Sequence, residues 1–121
     1  MEFDLQKVCS LLKNHVKMLA VLKDAQSCCE GILRDFRNSE EHQKQLLQCV
    51  GSKFSIFDVK HRFVSHSLCF ENTDGFSFPV FCTILSLEAM AWQVGFFKYY
   101  YDASGEHIDE SFHIFGYTKF L

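Results

Sequence analysis

Aromatic side chains divide this chain into two chemically different halves. It holds 14 Phe, 4 Tyr and 1 Trp, and of these only Phe3 and Phe36 precede residue 54. The first half is built largely from Leu, Lys, Gln and Glu, which favour helix. The second is dense in Phe, Tyr, Val, Ile and Thr, which suit strands. A chain partitioned in this way is constrained to an α+β fold, with helices first and a sheet after them. Its 121 residues are one domain's length, enough to bury a core without covalent staples.

Steps of three and four from Leu5 run through Val8, Leu12, His15, Leu19, Leu22, Gln26, Cys29, Leu33 and Phe36. This spacing predicts a long amphipathic helix with a heptad-like seam. Leu5, Val8, Leu12, Leu19, Leu22, Leu33 and Phe36 are its oligomerisation residues. A second stripe, Val16, Met18, Val21, Ala25 and Ile32, makes the apolar face wider than a two-stranded coiled coil needs. The same pattern fits a helix lying on its own domain's core, so both partners for the seam stay open. Ser39 is placed to cap a second, short helix, with Glu40 and Glu41 in the dipole-favoured first turn and Gly51 at its end. The expected organisation is a helical arm over 1–38 and a small α+β head over 39–121. The head comprises a helix over 39–51 and a β-meander over 54–121, and the whole folds as one cooperative unit.

Alternation along the second half predicts a four- to five-stranded antiparallel meander packed on helix. Even positions supply the expected buried face: Phe54, Ile56, Val64, His66, Leu68 and Phe70, then Phe76, Phe78, Val80, Cys82 and Ile84, then Ile108, Phe112, Ile114 and Phe120. Ser55, Ser65, Ser67, Ser77, Thr83, Asp109, Ser111 and Lys119 supply the wet one. Turns are signalled at Asn72-Thr73-Asp74-Gly75 and Ala103-Ser104-Gly105-Glu106. Between Ser86 and Asp102, Leu87-Glu88-Ala89-Met90-Ala91 favours helix, and strand is expected from about Trp92.

The odd face carries surplus apolar surface. Phe97, Tyr99 and Tyr101 share a parity, as do Phe115 and Tyr117 beyond the turn. In an antiparallel hairpin these sets can form one aromatic patch. Asp102, Glu106, Asp109 and Glu110 would rim it with acid. The expectation is a partner protein with a basic surface, anchored by Tyr99 or Tyr101.

Several chemistries lose ground on the sequence. The net charge is −3, and the aromatic half is more acidic than basic, which disfavours nucleic acid despite Lys98 beside Tyr99-Tyr100-Tyr101. His61, His66 and Cys69 alternate in strand parity, and no CxxC or HxxxH spacing supports a metal. No glycine-rich phosphate loop and no GxSxG elbow occur. Cys28 and Cys29 are helical neighbours and Cys82 lies in an apolar run, a poor setting for a catalytic thiolate. The start Met1-Glu2-Phe3-Asp4 has no signal-peptide pattern, and the adjacent cysteines argue for reduced thiols in the cytoplasm or nucleus. No apolar run is long enough to span a membrane.

The resulting expectation is a non-enzymatic adaptor or regulatory module without a cofactor. It would form a homo- or hetero-oligomer through its helix and bind a protein through its sheet. The alternative is a small ligand-binding or enzyme domain with an apolar pocket between curved sheet and helices, where His66 or His113 would be the polar group.

Overall fold

The helical half is broken at Asn14. In the computed structural model, which describes residues 5–50, 55–69 and 80–119, α1 spans Leu5–Lys13 and α2 spans His15–Arg37. Asn14 donates its N–H to the Leu11 carbonyl at 3.0 Å, and its side chain accepts from the Lys17 N–H at 3.0 Å. A short polar side chain that bonds its own backbone stops one helix and caps the next. One continuous arm is therefore corrected to two helices meeting in an elbow.

Asn38 closes α2, and the Ser39 hydroxyl accepts from the His42 N–H at 3.3 Å to start α3, Glu40–Val50. A single 3-10 turn, Ile56–Asp58, follows, held by a reciprocal capping box between Ser55 and Asp58. Among the described residues four strands follow: β1 Lys60–Cys69, β2 Val80–Ala89, β3 Trp92–Tyr101 and β4 His107–Lys119. They pair antiparallel in sequence order, leaving β1 and β4 as edges. The α+β class and the antiparallel sheet match the sequence reading. The expected positions Phe54, Phe70, Phe76, Phe78 and Phe120 and the turn at Asn72–Gly75 lie outside the described residues.

The expected buried parity is corrected. In β2 and β3 the fully buried residues include Phe81, Thr83, Leu85 and Leu87, with Phe97 and Tyr101, all odd. Val64 and Ile108 of the expected core face are exposed, and Thr83 of the expected wet face is buried. Irregularities in pairing explain this. The β1–β2 register passes from Phe63↔Leu85 to Ser65↔Ile84, leaving Val64 as an extra residue. Further shifts fall between Leu87 and Glu88 and between Tyr100 and Tyr101. Each extra residue flips the alternation beyond it. Parity therefore cannot be carried from one segment to the next. Val80 and Cys82 are buried too, so β2 is covered on both faces and shows no alternation.

The residues Leu87-Glu88-Ala89 end a strand instead of making a helix. Met90 and Ala91 form the turn to β3 with φ of 53° and 69°, a left-handed pair without glycine that costs about 1–2 kcal/mol per residue. Gly95 has a steric reason to lack a side chain: a Cβ there would overlap the His113 carbonyl on β4. One buried cluster joins Val21, Ala25, Cys29 and Leu33 of α2 with Phe81, Leu85, Leu87, Phe97 and Tyr101 of the sheet. Those four helical residues are spaced by four, the row that one side of a straight helix presents.

Candidate functional site

The seam residues have different fates. Leu33 is fully buried, and Leu22 and Phe36 are half-buried against the core. Leu12 and Leu19 stand 46% and 58% exposed, and Val16 between them is 80% exposed. A strict heptad line drifts by about 20° per heptad on a straight helix, so the C-terminal part of the seam turns into the core. Beyond Leu19 and Ala20 the exposed positions of α2 are Lys23, Asp24, Ser27, Arg34 and Asp35, all polar. The exposed apolar ridge is thus confined to the elbow. The side chains of Leu5 and Val8 lie outside the described residues.

The elbow forms one wall of a groove. Leu12, His15, Met18, Leu19 and Leu22 face Phe63 and His66 of β1 across a space of about 400 Å³. At the far end, α2 is tied to the start of β1. Glu30 meets His61 Nε2 at 3.2 Å and Arg37 at 3.5 Å, and Arg37 donates to the Val59 carbonyl at 3.2 Å. These contacts fix the β1 end next to α2, and the groove lies toward the elbow. The bulge at Val64 gives the groove its sheet wall. It lets Phe63 and His66, of opposite parity, pair with Leu85 and Thr83 on the same inward face.

His66 carries a polar network at the groove's floor. Its Nδ1 lies 2.7 Å from Thr83 Oγ1 and 3.4 Å from Tyr101 Oη, and Thr83 Oγ1 donates to Tyr101 Oη at 3.3 Å. Burial holds the imidazole pKa below its usual value, so the ring stays neutral under ordinary conditions. This satisfies a buried hydroxyl pair inside an aromatic core. It brings no carboxylate to the groove, and its Thr83 hydroxyl is fully buried.

The aromatic patch expected on the hairpin is an interior feature. Phe97 and Tyr101 are fully buried, and Tyr99 is 6% exposed. Tyr101 stacks on Phe81 with centroids 5.6 Å apart, and Tyr99 lies flat on His107 at 4.4 Å. Burial, then Asp24, Cys28 and Glu110, push the Tyr99 phenol up from its usual pKa. The register places Phe112 opposite Phe97 and Glu110 opposite Tyr99, so even positions of β4 share the face of odd positions of β3. The side chains of Phe115 and Tyr117 lie outside the described residues. The expected anchors Tyr99 and Tyr101 are thus buried side chains in this fold.

The acidic rim survives without its centre. Glu106, Asp109 and Glu110 are exposed, with Glu110 held by His107 at 2.7 Å. Asp102 is consumed within its turn. Burial raises its carboxyl pKa, but bonds from the Ser104 hydroxyl and the N–H groups of Glu106, Ser104 and Gly105 outweigh this and lower it. Gly105, at φ +88°, makes that turn possible.

Thiols and metals offer little chemistry. Cys9, Cys28, Cys29 and Cys82 are not joined in disulfides. Burial, then Glu30, pushes the Cys29 thiol up to about 12, far from a reactive thiolate. Among the described residues no three His, Cys, Asp or Glu side chains converge to hold a metal ion, and no helix is long and apolar enough to cross a membrane. Neither protein-family models, curated proteins nor solved structures give a match to this chain.

Val16, Met18 and Phe63 were missed as site residues by the seam reading. The spans that wall the groove, 12–22 and 63–66, hold two Lys and no Asp or Glu.

Proposed function

We propose that this protein is a non-enzymatic association module, an adaptor or regulatory subunit, that docks a protein partner on the apolar elbow of its helical segment. In this reading the helices pack on the sheet as one cooperative unit, and only the elbow is left for assembly. A single observation carries it: Leu12, Val16 and Leu19 form an exposed apolar ridge beside a groove whose other wall is Phe63, itself 38% exposed. Clustered exposed apolar side chains rimmed by polar ones mark interaction surfaces. The surface-exposed double variant Val16→Lys with Leu19→Lys should keep the thermal midpoint of the parent. It should lose the proteins that co-purify with the parent from cells that make it. An unchanged set of co-purifying proteins would remove the elbow from the account.

A second reading has its own observation. The groove's volume falls in the range of small-molecule sites, and His66 gives it one polar group. A neutral amphipathic ligand would then sit between Leu19 and Phe63. Soaking with 1-octanol and following the His66 ring resonances separates the two, because only the ligand reading expects a saturable shift at low concentration.

A further inference from the structure

We infer that the segment seated in the elbow groove is an acidic amphipathic helix of the partner protein. This rests on the association reading and goes on to name the partner's chemistry.

The first argument is charge. No carboxylate occurs in 12–22 or 63–66, the spans that wall the groove, and the nearest in sequence, exposed Asp24, follows Lys23. Lys13 and Lys23 are exposed at the two ends of the Leu12–Leu19 ridge, and neither forms an ion pair among the described residues. Arg62 on the other wall is held by Glu88 at 2.6 Å, and the stem of Lys17 lies toward the Gly105 turn. Lys13 and Lys23 are thus the cations placed to meet a docked segment. Complementary charge selects partners and speeds encounter more than it adds affinity. The polarity is the reverse of the one expected from the hairpin, because the apolar surface sits at the basic end of the molecule.

The second argument is shape. The groove is walled by side chains of Leu12, Met18, Leu19, Leu22 and Phe63, which suits insertion of an apolar ridge spaced i, i+3, i+4, i+7. Strand addition along β1 is disfavoured at this place, since the extra residue Val64 interrupts the edge where Phe63 sits. A concavity between a helix and a sheet also fits a rod-like ridge better than a flat lipid surface.

The test uses the full chain and a displayed library of amphipathic helices. Each helix carries Leu, Phe or Met at i, i+3, i+4 and i+7, with the flanking positions randomised over acidic, neutral and basic residues. Selection should enrich Asp and Glu in the flanks. Affinity of the selected helices should fall at least about tenfold for Lys13→Glu with Lys23→Glu, and should weaken as NaCl rises from about 0.05 to 0.5 M. Lys13→Gln with Lys23→Gln should lie between. Neutral or basic flanks, or no selected helices, overturn the inference. So does tighter binding to phosphatidylserine vesicles than to any selected helix, because the anionic occupant would then be a membrane. Helices that need Leu19 but show no acidic bias defeat only this inference. Helices that bind Val16→Lys with Leu19→Lys unchanged defeat the association reading as well.

Discussion

Leu19 of α2 and Phe63 of β1 line opposite walls of one groove, and both keep a large share of their surface in water. Four turns further along the same seam, Leu33 is completely enclosed. One sequence repeat therefore serves two purposes, core at its C-terminal end and open surface at its N-terminal end.

That division predicts opposite outcomes for the same substitution. Leu33→Ala leaves a cavity under α2 and should cost about 2–5 kcal/mol. Leu19→Ala removes surface already in solvent and should change stability by no more than about 0.5 kcal/mol. Urea denaturation of the two variants checks this, and equal losses would mean that the elbow is packed in solution.

Tyr101 should behave as a core residue. Tyr101→Ala should destabilise the fold by about 3–5 kcal/mol, as for other large aromatic truncations. Tyr101→Phe keeps the ring against Phe81 and loses the hydroxyl contacts to Thr83 and His66, so its cost should be about 1 kcal/mol. Thermal and urea midpoints of the pair decide between a core role and a surface anchor, which would leave both midpoints unchanged.

His66 gives the fold a pH dependence of known sign. Burial places its folded-state pKa below the ordinary imidazole value of about 6.5. As pH falls, the unfolded chain binds the proton first, so stability declines from about pH 6.5 downward, through the folded-state pKa, and is fully retained above that range. His66→Gln should flatten this part of the profile relative to the parent. Urea midpoints compared at about pH 7.5 and 5.5 measure it, and parallel slopes in the two proteins would contradict the burial of His66.

The element types were legible because composition changes so sharply near residue 54, and strand β3 begins at Trp92 where alternation resumes. The break at Asn14 was hidden because the apolar steps continue through it. Buried parity was misread because Val64 and its counterparts in later strands reset the alternation, and no local residue signature announces such a bulge. The aromatic residues 97, 99 and 101 read as surplus only while the helices were assigned elsewhere. With α2 in the same cluster as the sheet, they are the core. At the groove, hydrophobic spacing pointed to Leu12 and Leu19 but not to Phe63, whose pairing across the gap depends on tertiary placement alone.

The central claim is that the elbow is a contact surface for a protein. A photocrosslinking amino acid placed at Val16 and, separately, at Ser27, two exposed positions on α2, tests it in the cells that make the protein. The account predicts a discrete protein adduct from position 16 that is absent from position 27 and disappears when Leu19→Lys is added. Equal adducts from both positions, or none from position 16, would contradict it.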